Sequence, residues 1–263
     1  MKLYYYNQNN YSNYQYNKPD GSKATIASGG CGVVSAVIAI NTIAQKEVIS
    51  VPKMRDLAQS CGARVMDGTN EGALLSAFCK KHPAFSYLPT NSEAELVKHL
   101  KNGGTAICNQ GNAYNVFSTS GHFVCAWRML GNNIEVADPS MYSGKYDKSP
   151  RPSRILAKTS EGCIVTPQVM AKATQDRNPA YFLISYKGAK KPVSKKYFTA
   201  NATIKNSTDV YADNKLTVKV GSITKGERVC VRFKGKVLAI IQYNLSVGGY
   251  KVGLVKLENL KLD

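Results

Sequence analysis

The chain has 263 residues, long enough for one large domain or a medium one plus a small one, and two domains is the expectation. It carries 35 Lys and Arg against 17 Asp and Glu, a formal net charge of +18, which calls for an acidic partner such as nucleic acid, an anionic membrane or an anionic wall polymer. Seven cysteines, an odd number with no CxxC pair, argue against both a zinc site and a disulfide framework; all but Cys31 read as small buried hydrophobes.

The opening "MKLYYYNQNNYSNYQYNK" is aromatic and polar where a signal peptide needs an apolar core, so synthesis in the cytoplasm is expected. Next comes "ASGGCGVVSAVIAINTIA" (27–44), small residues and a cysteine followed by an apolar run that Ser35 and Asn41 interrupt. It is too short to span a bilayer, and it reads as a buried helix with Cys31 in its first turn. Three more helices are expected at "VPKMRDLAQSCGA", "NEGALLSAFCKKH" and "SEAELVKHLKNG", the last with Ser92 and Glu95 as a capping box and Gly103 as a stop. Strands are expected at "GTAICN", "HFVCAWRM", "NIEVADP" and "AYFLISYK". Helices first and an antiparallel sheet second define an α+β domain over residues 1–186.

The stretch "KGAKKPVSKK" (187–196) has the period of neither helix nor strand and reads as a Lys-rich linker. Beyond it, short Val-, Ile- and Tyr-rich pieces separated by turn residues suggest a small all-β barrel over 197–263. From Lys187 onward there are 16 Lys and Arg against 5 Asp and Glu, a net +11, so the tail holds most of the excess charge.

A cysteine at a helix N-terminus lies among unpaired N–H groups at the positive end of the dipole, which favours thiolate. Gly29, Gly30 and Gly32 would let a substrate backbone approach. His122 heads a strand that a turn at Gly131–Asn133 folds back toward Asp138. Pairing centred at Leu130 would place His122 and Asp138 opposite each other on one face. Pairing centred at Asn132 would leave them about four residues, roughly 13 Å, out of step, and a bulge or twist would have to close the gap. Cys31 as nucleophile, His122 as acid–base and Asp138 as its orienting carboxylate make the set that acyl transfer needs. His82 and His99 are the poorer bases and read as solvated residues. The oxyanion needs the Cys31 N–H and a second donor, for which Gln8 and Gln15 are the candidates.

The order "YNQ", "ASGGCGVVSAV", "GHFVCAWRM" and "EVADPS" resembles the papain-like cysteine peptidases of the double-glycine-peptidase type, in the branch found in bacterial and phage cell-wall hydrolases. The resemblance covers about residues 4 to 186; Val33 departs from it where many relatives have proline. It implies a papain-like fold with Cys31, His122 and Asp138 as the triad, and it favours Gln8 for the oxyanion hole. The tail is similar to bacterial SH3 domains, which commonly recognise cell-wall peptides, although the tryptophan usual before the tyrosine strand is missing. Tyr211, Tyr243 and Tyr250 are the aromatic candidates for a wall-binding surface.

Together these readings imply a phage endolysin-like hydrolase that cuts an amide in the peptide part of peptidoglycan. It would be made in the bacterial host cytoplasm, act on the wall after release, and be a monomer. No cofactor, metal, nucleic-acid partner or membrane insertion is called for. The alternatives are a leader-peptide-processing cysteine peptidase and a non-catalytic wall-binding protein.

Overall fold

The computed structural model describes residues 1–188, 198–244 and 250–263, so most of the Lys-rich linker reading, residues 189–196, lies outside the described residues. Helices α1 (Ile26–Gly29), α2 (Cys31–Ala44), α3 (Val51–Ser60), α4 (Glu71–Lys81), α5 (Glu93–Lys101) and α6 (Pro167–Thr174) precede or interrupt the strands. Every residue of α2 from Gly32 to Ile43 is buried, which is why its sequence is apolar on all sides rather than amphipathic. Burying side chains such as Ile38 and Ile40 contributes about 1.5 to 3 kcal/mol each. Asn41, the polar interruption, is buried but satisfied: its Oδ1 accepts from the Val48 and Ile49 N–H groups, and its Nδ2 donates to the Ile49 carbonyl. The α5 boundaries follow the capping signals, with the Ser92 side chain accepting from the Glu95 N–H.

A two-stranded hairpin, β1 (Arg64–Val65) and β2 (Gly68–Thr69), lies between α3 and α4. The central sheet contains β3 (Phe85–Thr90), β4 (Thr105–Gln110), β5 (His122–Leu130), β6 (Asn133–Ala137), β7 (Ala157–Lys158), β8 (Gly162–Val165) and β9 (Tyr181–Tyr186). Their order is β3-β9-β4-β5-β6-β8-β7, antiparallel throughout. Alternate residues face opposite cores. Ile107, Cys125, Ala137, Phe182 and Ile184 pack with α2, α3 and α4, whereas Cys108, Val124, Val136, Tyr181 and Leu183 pack with α5 and α6. The fold is α+β, with helices on both faces of an antiparallel sheet.

Several elements were not anticipated. β3 contains Pro89, which argues against a strand unless the strand is an edge, and β3 is the edge. α6 does carry a start signal, with the Thr166 side chain accepting from the Val169 N–H and Pro167 at the first turn.

The C-terminal strands are β10 (Ala202–Ile204), β11 (Thr208–Tyr211), β12 (Lys219–Ile223), β13 (Arg228–Lys234), β14 (Leu238–Asn244), β15 (Tyr250–Lys256) and β16 (Leu260–Leu262). They form a second antiparallel sheet in the order β12-β11-β15-β14-β13-β10-β16 around Val210, Val229, Ile241 and Val255. All-β character is as expected. Closure into a barrel is not seen: β12 and β16 remain edges among the described residues.

This sheet does not merely trail from the first. Leu130 and Ile164 of the central sheet share an apolar cluster with Ile240, Val252 and Leu254, and Asn214 Nδ2 donates to the Ile155 carbonyl at 3.2 Å. The two-residue turn between β5 and β6 makes the contact. Gly131 occupies its first central position at φ 63°, as a II′ turn requires, and a Cβ there would lie 2.3 Å from Val252 Cβ. Gly131→Ala should therefore lose more than backbone strain. Gly226→Ala, at φ 90° in open space, should cost only about 1 to 2 kcal/mol, and Gly131→Ala a further ~1 to 3 kcal/mol. Urea unfolding of both variants checks this, and equal losses would mean that the turn does not hold the second sheet.

Candidate active site

Cys31 is the first residue of α2, with Gly30 as the flanking cap, and it is partly exposed. First-turn N–H groups have no intrahelical acceptor, and the sulfur uses one of them: the Gly32 N–H donates to it, as does the Phe123 N–H at the start of β5. The Cys31 and His122 side chains are hydrogen-bonded to each other. His122 Nε2 in turn meets Asp138 Oδ1 at 2.9 Å. Nδ1 is thus the ring nitrogen left for sulfur.

A bulge makes the His122–Asp138 contact possible. Near the turn, Leu130 pairs with Asn133 and Arg128 with Glu135; continued unbroken, that register would put Asp138 opposite Cys125. Cys125 is an odd number of residues from His122, so the two acid–base groups would face opposite sides of the sheet. The register shifts between Ala126 and Arg128, where Trp127 is the extra residue, and beyond it Ala126 pairs with Val136 and Cys125 with Ala137. Asp138 then follows on opposite Val124, two residues from His122 on the same side. A diagonal of this kind spans about 7 to 8 Å between Cα atoms, within reach of these side chains. The observed register falls between the two alternatives that the sequence left open.

The loops on either side are equally fixed. Gln110 pairs with His122 across the sheet, and its Oε1 accepts from the N–H groups of Val116, Phe117 and Ser118 while its Nε2 donates to the Ser118 and Ser120 carbonyls. One buried amide thereby shapes the loop that leads into His122. On the other side, the Tyr5 hydroxyl donates to the Asp138 carbonyl, the Gln8 N–H to the Pro139 carbonyl and Asn7 Nδ2 to the Met141 carbonyl. The aromatic N-terminal segment is a strap across the end of the β5–β6 hairpin.

Asp138 is fully buried, and its charge is compensated. Lys145 Nζ lies 2.6 Å from Oδ2, the Tyr146 hydroxyl donates to Oδ2 at 2.7 Å, and the Ser140 N–H donates to Oδ1 at 2.9 Å. Burial pushes its carboxyl up, but His122 and Lys145 outweigh burial and hold it well below the usual range. For His122, burial favours the neutral ring; the Asp138 charge and hydrogen bond, with a smaller contribution from Cys31, reverse this and raise it to about 9. For Cys31, burial opposes ionisation, and the His122 hydrogen bond and charge together with the two backbone N–H groups bring the thiol below its ordinary value. Each group thus favours the charged form of the other. Sequence reasoning missed Lys145 and Tyr146, both buried, because nothing in "MYSGKYD" distinguishes them from surface residues.

Gln8 is buried against α1, with Nε2 donating to the Ala27 carbonyl at 2.8 Å and Oε1 buried without a partner. Gln15 is exposed, in a bridge with Thr25. The two amides thus differ in burial, Gln8 inside the fold and Gln15 at its surface. Another unanticipated group is Glu71, only 2% exposed, with both carboxyl oxygens unpartnered. Burial, and after it the Cys31 charge, push its carboxyl well above the usual range. A Cβ on Gly32 would lie 2.6 Å from Glu71 Oε2, so the glycine after the cysteine makes room for this acid.

Other expectations need correction. His82 caps α4 and stacks on Phe78, and His99 Nε2 bonds the Thr105 and Ile184 carbonyls, so neither is simply solvated. Cys61 is exposed rather than buried. Tyr243 is 3% exposed and part of the second sheet's core, so it offers no surface. Tyr211 is half-buried and lines an open cleft of about 680 Å³ with Thr208, Asp209 and Glu227, and Tyr250 is exposed. Among the described residues no His, Cys, Asp or Glu cluster could hold a metal ion, and no helix is long and apolar enough to cross a membrane.

No family model and no curated protein matches this chain. Among solved structures it is similar to a protein described as a C39-like peptidase from Bacillus anthracis, at 17% identity and a TM-score of 0.42 over 61% of this chain and 90% of that one. It is also similar to the peptidase domain of Streptococcus ComA, a bifunctional ABC transporter of a quorum-sensing pathway, at 13% identity and a TM-score of 0.37 over 59% and 88%. A third is Ly7917 with the hydrolysing product of MDP, at 12% identity and a TM-score of 0.27 over 90% and 92%. Likenesses this loose say nothing of activity.

The thiolate–imidazolium pair exists above the Cys31 pKa and below the His122 pKa of about 9. Asp138→Asn keeps the shape and removes the charge, so it should lower the His122 value toward its ordinary 6.5 and raise that of Cys31. In the pH profile of Cys31 alkylation by iodoacetamide, the acid limb should move up by about one unit or more. An unmoved limb would mean that Asp138 does not control the pair.

Proposed function

We propose that this chain is a cysteine hydrolase of amide bonds and that its substrate is the peptide part of bacterial peptidoglycan. The observation that carries the reading is the buried Asp138–His122 pair hydrogen-bonded to a thiol at a helix N-terminus. In that geometry the thiolate attacks a carbonyl carbon, and the oxyanion is received by the Cys31 N–H and Gln8 Nε2. His122, already protonated, gives its proton to the leaving amine, and a water that it then deprotonates releases the acyl group from sulfur. Asp138 keeps the ring oriented and favours its charged form throughout.

The choice of wall peptide rests on the chain's charge and the second sheet. A net +11 from Lys187 onward suits an immobile anionic polymer, and the open cleft beside Tyr211 suits a peptide or sugar ligand of that polymer. A wall-binding role for this sheet, in the manner of bacterial SH3 domains, and action outside the bacterium after release are parts of the same proposal.

Purified Gram-positive walls digested with the wild-type chain should lose turbidity and gain new amino groups, with no new reducing sugar ends. Cys31→Ala should lower the rate by at least about a thousandfold and still bind the walls in a pelleting assay. Reducing ends without amines would overturn the amide-cleaving reading. Cleavage of a diglycine leader peptide with intact walls would move the substrate to a processing peptidase, and full clearing by Cys31→Ala would leave a binding protein.

A further inference from the structure

Arg64 is a buried cation without an acidic partner. It is 7% exposed, yet among the described residues no carboxylate oxygen lies within 4.0 Å of its guanidinium. Charged groups taken from water are ordinarily paired, because the field of an unpaired one is screened by nothing nearby. Instead, three neutral carbonyls fix its direction. Nε donates to the Tyr16 carbonyl at 3.0 Å, and Nη1 donates to the Val65 and Gly68 carbonyls at 2.6 and 2.7 Å. The plane also lies over the Tyr16 ring, with Cζ 4.4 Å from its centroid. Glu71, a buried acid near the same loop, makes no ion pair with it, and both its carboxyl oxygens are unpartnered.

What remains of the fork faces the reactive loop. A Cβ on Gly29 would sit 3.3 Å from Nη2, so this nitrogen borders the glycine two residues before Cys31. A side chain there would cover the guanidinium edge, and glycine leaves it bare. The arrangement resembles a lock with both Nη2 hydrogens left over: a cation held in place beside the loop that carries Cys31, with no carboxylate partner among the described residues.

We infer that Arg64 is a specificity residue, and that its Nη2 edge receives a carboxylate of the substrate next to the amide that Cys31 attacks. The favoured substrate is then an acidic peptide, with a free carboxylate on a residue flanking the scissile bond, rather than the same peptide in carboxamide form. A charge-assisted contact in a desolvated site is stronger and more directional than a neutral one. This rests on Cys31 being the nucleophile, and it deepens the wall-peptide reading, since stem peptides occur with free or amidated carboxylates.

The test uses the full chain and two small reagents of similar shape, iodoacetate and iodoacetamide, followed at Cys31 by peptide mass spectrometry. The ratio of the two rates, referred to the same ratio for free cysteine, reads a nearby anion site without any assumed substrate. Arg64→Gln should lower that ratio by about tenfold and leave the iodoacetamide rate nearly unchanged; Arg64→Lys should fall between. An unaltered ratio in a folded Arg64→Gln chain overturns the inference. If Arg64→Gln does not fold, the wild-type chain decides by protection against iodoacetamide. Acetyl-alanyl-glutamate should shield Cys31 and its diamide should not, and equal protection by both, or none by either, overturns it. Failure of the underlying hydrolase reading looks different: Cys31 would then react with iodoacetamide no faster than the exposed Cys61, whatever the ratio.

Discussion

One extra residue in β5 decides whether an imidazole and a carboxylate can meet. Sheet side chains alternate, so a register shift of one residue is a choice between faces. Trp127 makes that choice at the bulge, placing Asp138 on the side of His122. The rest of the chemistry runs outward from that contact. The buried carboxylate favours the charged imidazole, and the imidazolium together with the α2 terminus brings the thiol below its ordinary value. A buried carboxylate would itself be unfavourable here without Lys145, Tyr146 and the Ser140 N–H to share its charge. The site is a chain of charges of alternating sign, Lys145, Asp138, His122 and Cys31, laid across the junction of a helix and a sheet.

Around the reactive sulfur, two polar groups break the usual rule that buried charges are paired. Glu71 has both carboxyl oxygens unpartnered, and burial, then the Cys31 charge, push its carboxyl well above the usual range. Arg64 is held by three backbone carbonyls and by the Tyr16 ring rather than by a carboxylate. Both lie against glycines of the "GGCG" loop, so the small residues around Cys31 do more than admit a substrate backbone. They leave room for a buried acid on one side and a cation on the other.

Much of this was legible in the sequence, for identifiable reasons. The all-apolar face of α2, the Ser92 cap and the β5–β6 hairpin follow from local patterns, and so do Cys31, His122 and Asp138 as candidates. The register was not legible, because a bulge depends on packing along two strands rather than on any residue within one. Lys145, Arg64 and Glu71 were missed because a charged residue reads as solvated until the fold buries it. For Arg64 the "DG" turn of the β1–β2 hairpin was the available signal. Tyr243 misled in the opposite direction, since an aromatic on a short strand reads equally well as core or surface. The second sheet was legible as β-rich, but its docking through Leu130, Ile164, Ile240 and Val252 joins residues far apart in the chain.

That docking forms an apolar seam, among the described residues, between the central sheet and the basic one at the β5–β6 turn, whereas the bulge at Trp127, further along β5, sets the register at the site. The central claim remains the charge state of His122, and NMR of its ring nitrogens tests it most directly. With Asp138 and the Cys31 thiolate in place, both nitrogens should carry protons at neutral pH and lose the charge near pH 9, and removing the sulfur should lower that midpoint. A neutral ring at pH 7, or a midpoint indifferent to the sulfur, would contradict the account.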